Sequence, residues 1–191
     1  NVAVGSSTLD ANTTGQYNTA LGFEALGSNT TASNNVALGR AALFANTTGA
    51  NNVAVGRQAL YSNSTGYDNT VVGELAMDAN TTGIYNSALG SGSLGANTTG
   101  VQNTAIGTFA LHNNQTGMNN TALGYSALLN NTGSGNIAVG SFCLDANTSG
   151  GSNVAVGQNA LTANTTASNN TAVGQSALGA NTSGTNNVAL G

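Results

Sequence analysis

The side chains able to do chemistry are few and scattered. The chain holds one His (His112), one Cys (Cys143), two cations (Arg40 and Arg57) and six carboxylates (Asp10, Glu24, Asp68, Glu74, Asp78 and Asp145). One His with one Cys does not make a zinc set, which needs three or four such ligands. Asp10, Asp78 and Asp145 stand too far apart along the chain to converge on a cation. Glu74 and Asp78 are near neighbours, but no base, nucleophile or third carboxylate accompanies them, so they read as a solvated edge rather than a catalytic dyad. Gly90-Ser91-Gly92-Ser93-Leu94-Gly95 has the spelling of a dinucleotide-binding Gly-x-Gly-x-x-Gly. That motif works by presenting a helix N-terminus to a pyrophosphate, and no helical pattern follows it here. The expectation is a protein that is not an enzyme and carries no cofactor and no metal.

One pattern with chemical meaning is regular. An Asn followed two residues later by Thr or Ser occurs at Asn12, Asn29, Asn46, Asn63, Asn80, Asn97, Asn114, Asn130, Asn147, Asn164 and Asn181. Two readings stand. In the first this is turn chemistry, in which Asn caps a bend, hydroxyls bond nearby backbone, a following Gly supplies φ > 0, and stacked Asn side chains bond one another. In the second it is an acceptor for N-linked glycan offered once per turn of the chain.

The spacing of these Asn residues belongs to a larger order. Asn1, Asn18, Asn35, Asn52, Asn69, Asn86, Asn103 and Asn120 open successive units of 17 residues, and after one unit of 16 the series resumes at Asn136, Asn153, Asn170 and Asn187. Residues 1–191 are thus a single array of eleven units with a partial unit at 187–191, expected to be a segment of a longer fibre. The shortened unit reads as keeping Asn130-Asn131-Thr132-Gly133 and losing its residue elsewhere. A fixed period of this size marks a solenoid.

Within the unit, position 4 is always Val, Leu or Ile, position 8 is small, and position 9 is Leu except at Met77. Gly at position 5, usually another at 15, and the polar turn between leave runs too short for a helix. The period-2 pattern of positions 1–5 predicts a strand, with position 4 facing the core and Asn1, Ala3 and Gly5 facing the other way. The expected fold is an all-β parallel β-solenoid, a β-roll with one coil per unit, a second strand near positions 7–10, and a length of roughly 50 Å at about 4.8 Å per coil. The small Ala3 and Gly5 face is expected to let a neighbouring chain approach closely, most simply in a homotrimer.

Composition agrees with an ordered, repetitive object: 39% hydrophobic residues and 4% charged ones do not make a disordered chain. A net charge of −4 with two cations argues against nucleic acid as a partner. No apolar run reaches the ~20 residues of a membrane-spanning helix, so this segment is not expected to insert in a bilayer. Cys143 reads as a small core residue and His112 as a turn residue facing solvent. Tyr17, Tyr61, Tyr67, Tyr85, Tyr125, Phe23, Phe44, Phe109 and Phe142 occupy variable positions and read as surface patches or contacts between chains.

The strand Asn-(Val/Thr/Ser/Ile)-Ala-(Val/Leu/Ile)-Gly, as in Asn1 to Gly5, Asn35 to Gly39 and Asn136 to Gly140, resembles the head repeats of trimeric autotransporter adhesins. Related repeats occur in phage tail fibres and large bacterial surface proteins. The resemblance covers every unit, although the familiar head repeat is nearer 14 residues and lacks the Asn-Thr-Thr-Gly turn. It implies a trimer of left-handed parallel β-rolls displayed outside the cell at the cell surface, with adhesion to a host surface, matrix or glycan as the activity. Two other functions share parts of the pattern. An ice-binding solenoid would use regular Thr ladders, but adjacent Thr13 and Thr14 would point to opposite faces. A phage tail-fibre shaft would share the physics of the first reading.

Overall fold

The computed structural model describes residues 1–191 and is an all-β solenoid of stacked coils, one per sequence unit. Twelve three-residue strands, from β1 (Val2–Val4) and β2 (Thr19–Leu21) to β12 (Val188–Leu190), form one parallel sheet in sequence order. Register never slips. Ala3 lies opposite Ala20, Ala37 opposite Ala54, and Ala138 opposite Ala155. Even across the 16-residue unit, β8 (Thr121–Leu123) meets β9 (Ile137–Val139) in the same phase.

Each coil holds one strand, not two. Positions 7–10, expected to be extended, form a tight bend in which positions 7 and 9 both take left-handed backbone angles. Leu26, Leu43, Leu60, Leu111 and Leu161 sit at φ between 51° and 54°. Left-handed backbone costs an L-residue ~1–2 kcal/mol, and complete burial of a Leu side chain returns about 1.5–3 kcal/mol. The bend is therefore held by the packing of its own Leu. Coil-to-coil hydrogen bonds such as Leu26 N–H to Ala42 O (3.1 Å) continue the backbone pairing through it.

The facing of the strand is the reverse of the sequence expectation. Ala20, Ala37, Ala54 and Ala105 at position 3 are fully buried, whereas Leu21, Leu89 and Leu123 at position 4 are 50%, 49% and 44% exposed. The core is three rows deep, Ala at position 3, Ala at position 8 and Leu at position 9. A coil this thin has room beneath its sheet for a methyl group and little more, which is why the branched residues of positions 2 and 4 stand outside. The exception supports the rule. Val71 replaces Ala in the unit where Met77 replaces Leu, and both are fully buried; an unbranched, pliable side chain makes space for the larger neighbour.

Gly at position 5 serves the stack itself. A Cβ on Gly22, Gly39 or Gly56 would fall 2.5 Å from the carbonyl oxygen of the Gly one coil on, and the φ values are 133–136°. The close approach allowed by these glycines is between coils of one chain, not between chains.

Candidate functional site

Two rows of buried Asn flank the apolar core and give the rod its most regular chemistry. At position 1, Asn35 N–H donates to Asn18 Oδ1 and Asn52 N–H to Asn35 Oδ1, each at 2.9 Å. At position 12 the side chains bond directly: Asn29 Nδ2 to Asn12 Oδ1, Asn63 Nδ2 to Asn46 Oδ1 and Asn80 Nδ2 to Asn63 Oδ1, at 2.7–2.9 Å. Both rows also converge on one acceptor. Gly66 O receives Asn52 Nδ2 and Asn63 Nδ2, both at 2.9 Å, so the position-15 carbonyl ties the strand to the turn within each coil. Buried amides must be satisfied, and this geometry does so by repetition.

The ladder fixes what the Asn-x-Ser/Thr sites are. Asn29, Asn46, Asn63, Asn80, Asn97, Asn114, Asn147 and Asn164 are fully buried. Their carboxamides point into the rod and bond one another, the geometry of the turn reading, and leave no room there for the Nδ2-linked glycan of the other. Asn12 and Asn181 are half-buried in the same ladder. Asn130 is exposed and does not belong to the ladder at all. The rung is Asn131, which is buried and receives Asn147 Nδ2 at 2.7 Å. The 16-residue unit has therefore lost its residue inside the turn, where Asn131-Thr132-Gly133 replaces Asn-Thr-Thr-Gly, and not elsewhere. Two further Asn-x-Thr triplets, at Asn119 and Asn169, place an exposed Asn at the left-handed position 17; they fall outside the 17-residue series of turn sites and were missed for that reason.

The hydroxyls of the turn divide between two roles. Thr30 Oγ1 donates to Thr47 O at 3.1 Å and Thr47 Oγ1 to Ser64 O at 3.0 Å, so position 13 reinforces the stack. Position 14, as in Thr31, Thr48, Thr65 and Thr82, is exposed.

On the outer face of the sheet, positions 2 and 4 form a strip of Val, Leu, Ile, Thr and Ser that is exposed to half-buried along the rod. The sequence carried a signal for it. Position 3 is Ala in every unit but one, the mark of a tight volume limit, while position 4 accepts Val, Leu or Ile, which a surface tolerates. In the residues that lead into the strand, at positions 16 and 17, Tyr67 and Tyr85 pack edge to face at 5.5 Å and Met118 is exposed.

The isolated reactive residues do not assemble. No three of His, Cys, Asp and Glu come close enough to hold a metal, and the surface has no pocket. Asp10, Asp78 and Asp145 lie in separate coils; Asp145 accepts a hydrogen bond from Thr162 Oγ1 at 2.7 Å. Glu74 pairs with Arg57 rather than with Asp78. Burial pushes the Asp78 carboxyl up, opposed by a backbone hydrogen bond and by His112. His112 is half-buried, with Nδ1 2.7 Å from Gly92 O, which places a proton on Nδ1. A Cβ on Gly95 would come 2.7 Å from that ring and one on Gly92 2.8 Å from the Phe109 ring. The Gly-x-Gly-x-x-Gly spelling thus arises from seating two rings of the next coil. Phe109, Tyr125 and Phe142 continue as edge-to-face neighbours on the surface, and Phe44 stacks on Tyr61 at 5.3 Å.

Cys143 fills the position-8 row, fully buried, with Sγ 3.2 Å from Ala155 O. Burial pushes its thiol up to about 12, well above the ordinary value of about 8.5. Below the ordinary value both folded and unfolded chains hold the proton. Between it and the raised value only the unfolded chain releases it, so stability falls as pH rises through that window. Urea unfolding of the wild type should lose stability between neutral pH and about pH 10 more steeply than that of Cys143→Ala; equal slopes would contradict the buried thiol.

No known family model matches the chain, and neither a curated protein nor a solved structure does.

Proposed function

We propose that this chain is a non-catalytic segment of an extracellular structural or adhesive fibre, a rod whose sheet face packs laterally against identical copies, most simply in a homotrimer at a cell surface. The observation that carries the reading is the unbroken row of aliphatic side chains at position 4 on the outer face of the sheet, exposed at Leu21, Leu89, Ile106, Leu123, Val156 and Val173 and half-buried at Leu38, Val55, Val72 and Val139. At ~50 Å by about 10 Å the strip covers on the order of 500 Å², at the upper end for an apolar patch on a free monomer. A stable interface needs about 800 Å² from each partner, and the exposed Tyr67, Tyr85 and Met118, in the residues leading into the strand, are further apolar surface a lateral neighbour could cover. The likeness of the strand to adhesin head repeats supports the same assembly. The contact face differs from the one expected from sequence, because the position-3 residues Ala20, Ala37 and Ala54 are buried in the chain's own core and the position-5 glycines Gly22, Gly39 and Gly56 abut the next coil.

Sedimentation of the wild type and of Val55→Asp with Val139→Asp tests this. The wild type should associate with rising concentration, and the variant should remain monomeric with an unchanged circular-dichroism spectrum. A wild type that stays monomeric at all concentrations overturns the reading.

A further inference from the structure

The 16-residue coil leaves one fault in the interior. Asn114 is fully buried, and its Oδ1 is the buried side-chain atom that no hydrogen bond reaches. In the coils before it the next Asn supplies the donor, as when Asn114 Nδ2 itself meets Asn97 Oδ1 at 3.1 Å. Asn131 does not. With one turn residue missing, its Nδ2 donates to Gly133 O at 2.8 Å, two residues along instead of three.

A carbonyl stands where the donor should be. A Cβ built on Gly66, Gly83 or Gly100 would find the next coil's Asn Nδ2 at 2.9–3.0 Å, whereas one on Gly117 finds Thr132 O at 3.1 Å. Thr132 O accepts no hydrogen bond from the backbone. Its natural donor, Gln115 N–H, is likewise without a backbone partner, although the equivalent Thr98 N–H reaches Gln115 O at 2.9 Å. Asn114 Oδ1 and Thr132 O therefore both lie beside Gly117, and neither has a donor. Two neighbouring acceptors without donors are satisfied together by one molecule that carries two donors.

We propose that one ordered water molecule occupies this break, donating one hydrogen to Asn114 Oδ1 and the other to Thr132 O. Gln115 N–H, adjacent to Asn114 in the chain, is available to donate to the water oxygen. Three polar partners are typical of a buried water. A hard cation would want six or more oxygens, and the break offers two free ones.

The test compares the wild-type chain with a variant carrying one extra Thr between Thr132 and Gly133, which restores the 17-residue unit. Water oxygen-17 relaxation dispersion should show one long-lived water fewer in the variant, and the melting temperature should rise by several degrees as Asn131 regains Asn114 Oδ1. Equal numbers of long-lived waters overturn the proposal. So does a wild-type shift of the Asn114 and Asn131 side-chain amides on adding sodium or potassium, which would assign the break to a cation. If the variant does not fold, the wild type decides alone: cross-relaxation between water and the Gln115 amide proton is expected, and its absence overturns the assignment.

Discussion

Leu60→Asp should prevent the coil at 52–68 from closing. Leu60 has no exposed surface and lies in the Leu row between Leu43 and Met77. Truncating such a side chain costs about 2–5 kcal/mol through lost burial and a cavity. A carboxylate adds the cost of a charge with no partner in a dry row, which brings the total above about 5 kcal/mol. In an array stabilised by neighbour contacts the damage should spread to the adjoining coils. Hydrogen exchange is the measurement, with protection lost at the amides of Leu43, Leu60 and Met77. Val55→Asp is the internal comparison. It sits in the same coil at position 4, on the outer face of the sheet, and should leave those amides protected. Equal loss in the two variants would return position 4 to the core.

Gly56→Ala should be nearly as severe although it adds one methyl. The backbone there has φ of 133°, and the new Cβ would lie 2.5 Å from Gly73 O. Neither partner is a movable side chain, so the stack must part locally, at a cost above about 3 kcal/mol. Position 15 gives the contrast. A Cβ on Gly66 would also meet Gly83 O at 2.5 Å, but the backbone there is not in the left-handed region, and Ala32 and Ala167 occupy the position naturally and almost fully buried, so Gly66→Ala should cost less. A thermal melt in which Gly56→Ala matches Gly66→Ala would refute the claim that the left-handed backbone of position 5 closes it to side chains.

The coil period, the parallel stacking and the Leu row were legible in the sequence because each follows from regular spacing. The facing of the strand was not. Alternation divides position 3 from positions 2 and 4, but choosing the inner set requires the thickness of the coil, which depends on how the bend at positions 7–10 folds. That bend was misread as extended because Leu is a poor signal for left-handed backbone. Only the assembled row of buried Leu makes the conformation worth its cost. The fault at Asn114 was hidden for a related reason. Asn130-Asn131-Thr132 preserves the spelling of the turn while moving the rung from one Asn to the next, and spelling alone does not say which amide points inward.

The amide ladders also give the rod a direction. Apart from Asn114 and the last coil, each Asn Oδ1 in both rows faces the following coil and receives its hydrogen from there, so the side-chain carbonyl dipoles of a row point the same way. A coil added after an existing one meets acceptors, and a coil added before it meets donors. Two such rods brought together end to end would match only in one sense, as magnets do, and a reversed segment would set oxygen against oxygen along both rows.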